Sequence, residues 1–272
     1  MLNLFKKISL LGLLAAALVA PGAFAASSVS PVLDRVLDFK VLKVGMSGNQ
    51  APMNTNSRSG QIIGYEVDLA RALAGAMGAR LEIVTMPFGD LLKALDAEKV
   101  DMVMSGMSIT AARSRDYTFV GPYMMSGKSI LTNSGLLARA TQSSDFNRSE
   151  LKLAALENST SQIFIETAAP DATLVTVKDY DAAVDMVIAG EVDALVADMP
   201  QCVLSVLRYP NAGLATLQSP LSIEPIGIAV RNDDRQFSNL VDNYLDTFGK
   251  MGMLNKLRKK WFEDKSWIAA LP

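Results

Sequence analysis

The residue types best suited to fixing a small ion are concentrated in residues 99–123, KVDMVMSGMSITAARSRDYTFVGPY. Val100 to Met104 reads as a buried strand, and Ser105, Gly106 and Ser108 follow it directly. A strand ending this way presents hydroxyls and free backbone N–H groups at its carboxyl edge. Arg113 adds a permanently charged fork that suits a carboxylate. Asp198 closes an apolar run over 192–197, and Thr160 opens a predicted helix whose N-terminus supplies free N–H donors and partial positive charge. The arrangement over residues 105–113 binds a small anion or zwitterion and does no chemistry by itself. Taken singly, Arg113 also reads as a surface residue, Asp198 as a helix cap, and Ser105 and Ser108 as turn residues.

The rest of the inventory narrows the chemistry. The chain has no histidine, which removes the usual proton shuttle at neutral pH, the Ser-His and Cys-His nucleophile pairs, and histidine metal sites. Cys202 is the single cysteine, so no internal disulfide forms, and its apolar surroundings mark it as a small core residue. The fourteen methionines lie mostly in apolar segments and read as core filling. No metal and no cofactor is called for. The basic cluster Lys256, Arg258, Lys259 and Lys260 reads as a solvated helix face.

Residues 1–25 read as an export signal. Lys6 and Lys7 start it, Ile8 to Ala20 is its apolar core, and Ala23-Phe24-Ala25 is the small-x-small cleavage site. A membrane-spanning anchor needs about 20 apolar residues, more than this run offers. The expected location is therefore the bacterial periplasm. Without Lys6 and Lys7, 24 of the 26 basic residues remain against 28 acidic ones, a net charge of −4, which argues against nucleic acid as partner.

The elements that position the candidate residues alternate in type. Val41 to Met46 reads as strand, Tyr65 to Met77 as helix, Leu81 to Thr85 as strand and Phe88 to Glu98 as helix. A second series starts near Leu151: strands over 152–156 and 173–177, helices over 160–168 and 180–189, and a buried strand over 192–197. Asn133 to Arg148 reads as the crossing into this second unit and Pro220 to Pro225 as the crossing back. Ile226 to Val230 reads as a further strand, and Phe237 to Trp261 as an amphipathic pattern interrupted at Gly249 and Gly252. Such alternation predicts an α/β fold with largely parallel sheets, in which ligands sit outside the carboxyl ends of the strands.

Five segments, at family-like spacing, carry a resemblance: LKVGMSGNQAP (42–52), GYEVDLARALA (64–74), VDMVMSGMSITAAR (100–113), GPY (121–123) and VDALVAD (192–198). They resemble the periplasmic solute-binding proteins, family 3, that deliver polar amino acids to ABC importers. The resemblance implies a type II periplasmic-binding-protein fold, two α/β lobes joined by two hinge strands that close on the ligand. One lobe would comprise residues 34–132 with 226–267, the other 136–222. It implies a monomer that captures a small amino acid-like zwitterion and hands it to an inner-membrane permease. Arg113 matches the arginine that pairs with the ligand α-carboxylate. Ser108 and Ser105 match small residues that contact the α-carboxylate and α-ammonium, and Gly106 stands where some members have another serine. Asp198 matches the carboxylate that takes the ammonium, and Thr160 a residue whose backbone N–H meets the carboxylate. Phe88 matches a position where an aromatic covers the ligand side chain, although core packing explains it equally. Gln50 stands where many members place Tyr or Phe, Ser47 where binders of basic amino acids often carry Asp, and Asn158-Ser159-Thr160 replaces the usual Gly-Thr/Ser-Thr turn.

The chain also resembles one catalytic branch of this fold, the cyclohexadienyl dehydratases, in LDRVLDFKVLKV (33–44), MSGMSI (104–109) and Gly127-Lys128. That branch acts on prephenate or arogenate and places a Glu at the position of Gln162. An amide cannot donate a proton as an acid does. The sequence therefore favours a binder over an enzyme, with the dehydratase as the alternative.

Overall fold

A computed structural model describes residues 30–272, so the expected export signal lies outside the described residues. The first lobe is built on strands β1 (Val41–Met46), β5 (Arg80–Thr85), β6 (Met102–Val103), β7 (Tyr117–Ser126) and β13 (Glu224–Arg231), in the order β5-β1-β6-β13-β7. β1 runs parallel to β5 and β6, whereas β13 is antiparallel to β6 and β7. Helices α1 (Pro31–Phe39), α2 (Tyr65–Ala76), α3 (Leu91–Asp96), α8 (Arg235–Lys250) and α9 (Met253–Arg258) surround it. Three short strands, β2 (Asn49–Gln50), β3 (Asn54–Asn56) and β4 (Ile62–Ile63), form a small antiparallel sheet beside the end of β1.

The second lobe is built on β8 (Lys128–Thr132), β9 (Lys152–Leu156), β10 (Thr173–Val177), β11 (Ala194–Asp198) and β12 (Ala215–Thr216), in the order β10-β9-β11-β8-β12. β9 is parallel to β10 and β11, and β8 is antiparallel to β11 and β12. Its helices are α5 (Thr160–Ala168), α6 (Tyr180–Ala189) and α7 (Met199–Arg208). This two-lobed α/β arrangement is the fold class the sequence predicted.

Several expected elements are altered. The chain changes sheets at Gly127, not over Asn133–Arg148, because Lys128–Thr132 is wholly buried and pairs with β11. The segment expected to cross instead folds on the second lobe, with short 3-10 turns at Leu137–Arg139 and Ser143–Asp145. The helix expected from Phe88 begins as a 3-10 turn, Phe88–Asp90, before α3. The final helical pattern breaks at Gly252, in the left-handed region at φ 74 between α8 and α9, but not at Gly249, through which α8 continues to Lys250.

The two crossings lie against each other. A Cβ on Gly127 would fall 1.9 Å from the Ser222 carbonyl oxygen, so only glycine allows the hinge segments this approach. Leu221 N–H donates to the Lys128 carbonyl at 2.7 Å and Lys128 N–H to Ser222 Oγ at 3.0 Å. The lobes are closed on one another: Asn49 Nδ2 donates to Asp179 Oδ2 at 2.6 Å. Leu271 is buried with Ala51 of the first lobe and Leu204 of α7. Met46, Met53, Met77, Met102 and Met104 fill the first core. Cys202 is buried in the second, where burial first and Asp198 second push its thiol up to about 12.

Candidate functional site

The ends of β6, β11 and β13 and the start of α5 converge between the lobes. The loop after β6 is pinned to β13: Ile109 N–H donates to the Pro225 carbonyl at 2.8 Å and Gly227 N–H to the Met107 carbonyl at 3.0 Å. Thr110 then caps α4 (Ala111–Asp116), its hydroxyl accepting from Arg113 N–H at 3.2 Å, as a threonine in extended conformation does at a helix start. This cap places Arg113 in the first turn of α4. Its guanidinium donates to the Ser108 carbonyl at 2.9 Å and, across the cleft, to the Asn158 carbonyl at 3.3 Å. It lies over the Phe88 ring, 5.7 Å from the centroid. Burial lowers its pKa, while Glu224 and Asp198 pull it back up, so the fork stays charged.

The hydroxyls of Ser108 and Thr160, one from each lobe, meet at 3.2 Å. Both donate to a single oxygen, Oε2 of Glu224, at 2.7 and 2.9 Å. Glu224 opens β13, opposite Ser126 in the ladder. Lys128 Nζ reaches the same Oε2 at 3.1 Å and Asp198 Oδ1 at 2.7 Å. The β8–β11 register places Lys128 directly opposite Asp198, so backbone pairing fixes that contact. The Lys128 side chain is 2% exposed and both its partners are carboxylates. Burial pushes its pKa down, but Asp198 and Glu224 raise it above the ordinary value. Burial likewise pushes Glu224 up, while Lys128, Ser108 and Thr160 hold it below the usual carboxylate range.

The other expected site residues stand as follows. Ser105 is buried below the cleft, its hydroxyl donating to Ser47 Oγ at 3.0 Å and accepting from Ser47 N–H at 3.0 Å. Gly106 has φ 57, and its N–H donates to Glu66 Oε1 at 2.7 Å; a Cβ there would lie 2.3 Å from Gln50 Nε2. The left-handed backbone favours glycine there, and any side chain would have to push the Gln50 amide aside. Gln50 is buried and borders a small pocket with Asp198, Gln201 and Ser126. Ser159 is the N-cap of α5, accepting from Gln162 N–H at 3.2 Å and donating to the Leu156 carbonyl at 2.6 Å. Phe88 packs in the core cluster and also forms the rim beside Asn158. Asn158 adopts the left-handed conformation, φ 59, which asparagine tolerates in place of the usual glycine. Gln162 turns back from the cleft: its carboxamide accepts from Asn158 N–H and donates to Glu166 Oε1, both at 2.8 Å.

Sequence reasoning passed over Lys128, Glu224 and Glu66. Glu66 sits in the first turn of α2 on its buried face. It accepts from Gly106 N–H, the Tyr123 hydroxyl and Asn54 Nδ2, and burial drives its pKa up. A signal for Glu224 existed, since an acidic residue opens a run that is otherwise buried strand. Lys128 was hidden because residues 128–132 were expected in the first lobe, whereas they form a strand of the second.

Among known proteins, the sequence pattern of the bacterial extracellular solute-binding proteins, family 3, matches residues 42–264. The chain is 25% identical over 231 residues to a cyclohexadienyl dehydratase of Pseudomonas aeruginosa, covering 85% of this chain and 86% of that one. It is 27% identical over 254 residues to an arginine-binding protein of an ABC transporter from Escherichia coli, covering 92% and 98%. The crystal structure of an ancestral amino acid-binding protein, a precursor of cyclohexadienyl dehydratase, superposes with TM-score 0.78 at 31% identity, over 85% of this chain and 99% of the other.

Proposed function

Since this chain belongs to the bacterial extracellular solute-binding proteins, family 3, we propose that it captures a small amino acid between its lobes, without converting it, and delivers it as a monomer to the permease of an ABC importer. Relatives named for arginine and cystine binding support an amino acid as ligand. The reading rests chiefly on one observation: across the closed cleft Ser108 meets Thr160 and Arg113 reaches the Asn158 carbonyl, with Asp198 linked to Ser108 through Lys128 and Glu224. Arg113 would hold the ligand carboxylate, helped by the N-terminus of α5, and Asp198 its ammonium. Ser105 and Ser159 would position these groups from behind, through the hydrogen bonds described above, and Phe88 and Gln50 would border the ligand. Differential affinity for the closed arrangement would drive closure.

We place the lobe boundaries where the chain changes sheets, at Gly127 and between β12 and β13. The periplasm is the proposed compartment; no helix of the described residues is long and apolar enough to cross a membrane. The dehydratase alternative lacks an acid at Gln162, whose amide is tied to Asn158 and Glu166.

The test is calorimetry of the mature chain against the proteinogenic amino acids, with prephenate and arogenate incubated in parallel. Binding of at least one amino acid, lost in Arg113→Ala while the circular dichroism spectrum persists, is the expected result. Turnover of prephenate or arogenate, or undiminished binding by Arg113→Ala, would overturn it.

A further inference from the structure

The cleft holds four close charges, two of each sign. Arg113 and Lys128 are the cations, and Asp198 and Glu224 the anions. Lys128 pairs with both carboxylates at short range, 2.7 Å from one and 3.1 Å from the other, while Arg113 bonds to two carbonyls and feels Glu224 and Asp198 through space. Glu66, the remaining ionisable group beneath Gly106, has its carboxyl pushed towards the neutral form by burial, and the phenols of Tyr123 and Tyr180 are held neutral the same way. The rim outside also balances, with Asp90 and Glu157 against Lys93 and Lys178.

Two of these charges stand where a ligand's own poles belong. Lys128 presents an ammonium to Asp198, and Glu224 presents a carboxylate to the hydroxyls of Ser108 and Thr160. Together they form an internal zwitterion. A ligand ammonium arriving at Asp198 displaces Lys128, and a ligand carboxylate arriving at Ser108 and Thr160 displaces Glu224. Lys128 and Glu224 already touch, so each keeps the other as partner after the exchange. A net-neutral zwitterion therefore enters without leaving any buried charge unpaired. A ligand with a further charge on its side chain leaves one uncompensated in the cleft, where an unpaired ion is strongly disfavoured.

We infer that the Lys128–Glu224 pair makes this site selective for amino acids with uncharged side chains and against arginine, lysine, aspartate and glutamate. The inference rests on the amino-acid reading above and adds the class of side chain. It sets this chain apart from the relative named for arginine binding.

The experiment measures dissociation constants of the mature wild type, Glu224→Gln and Lys128→Met for the neutral amino acids and for arginine, lysine, aspartate and glutamate. In the wild type the best neutral ligand should bind at least tenfold more tightly than any charged one. Glu224→Gln leaves the cleft with an excess positive charge and should shift the preference at least tenfold towards glutamate or aspartate. Lys128→Met leaves excess negative charge and should shift it towards lysine or arginine. Circular dichroism establishes that each variant is folded; should Lys128→Met fail to fold, the wild type and Glu224→Gln decide. A charged amino acid binding the wild type within tenfold of the best neutral one overturns the inference and leaves the amino-acid reading intact. So does an unchanged preference in folded Glu224→Gln. Absence of binding by every amino acid overturns the amino-acid reading, and the inference with it.

Discussion

Asp198→Asn separates the two tasks that converge on one carboxylate. Asp198 is the strand partner of Lys128, 2.7 Å from its Nζ, and also the proposed seat of the ligand ammonium. At an effective dielectric of about 20, the attraction at that distance is about 6 kcal/mol. Desolvation of the two ions, at several kcal/mol each, offsets most of it. Removing the whole partner set of a buried ion costs about 3–5 kcal/mol. Lys128, however, keeps Glu224 at 3.1 Å. The loss should therefore be that of one hydrogen bond to a charged group, about 1.5–3 kcal/mol of stability. Affinity should fall further. Losing one member of a buried charge pair across an interface costs about 2–5 kcal/mol, on the order of 30-fold to several thousand-fold in dissociation constant. Urea unfolding gives the first quantity and calorimetric titration with the best wild-type ligand gives the second. If stability drops but the dissociation constant stays within a factor of three, Asp198 serves only Lys128, and its assignment to the ligand is refuted.

Other expectations follow from packing and titration. Gly127→Ala drives a methyl group into the Ser222 carbonyl, so the hinge segments must part; overpacking of this kind costs about 1–3 kcal/mol or more, and a melting temperature equal to the parent's would contradict the geometry. Leu271→Ala empties a contact shared by Ala51 and Leu204 and should cost about 2–5 kcal/mol, read by urea unfolding, if the C-terminal segment clasps both lobes as described. Burial raises the Glu66 pKa above its unfolded value of about 4.3, so the folded state binds the proton more tightly. The stability this gives is full below the unfolded value and is lost as pH rises through the folded one. Melting of the wild type relative to Glu66→Gln should accordingly decline as pH rises above about 4.3; a rise instead would show the carboxylate to be the favoured form. Glu224 has the opposite sign, its pKa being lowered, so its contribution should be present above pH 5 and vanish in acid, and Glu224→Gln should flatten that acid limb of the melting curve.

Local pattern was enough for the elements that satisfy themselves. β9, α5, β10 and α6 run where apolar periodicity and turn residues put them, at 152–156, 160–168, 173–177 and 180–189. The helix start at Thr160 was legible for the same reason, since a helix N-terminus is set by contacts within a few residues. Arg113, Ser108, Thr160 and Asp198 were singled out by type and position, and the fold brings them to one cleft. Charge partners across the sheet were not legible. Lys128 and Asp198 are 70 residues apart and Ser108 and Glu224 are 116 apart. No local preference encodes such pairs; only the antiparallel register of β8 on β11, and the return of β13 beside the first lobe, set them. β8 itself was missed because a lysine heads it, and a buried lysine looks like a surface residue until its two carboxylates are in place. From its residues the chain declared two α/β units and an arginine suited to a carboxylate, and its resemblance to a family added the two closing lobes. Tertiary structure decided that Lys128, Asp198 and Glu224 are already paired with one another in the cleft, because a buried ion needs a partner.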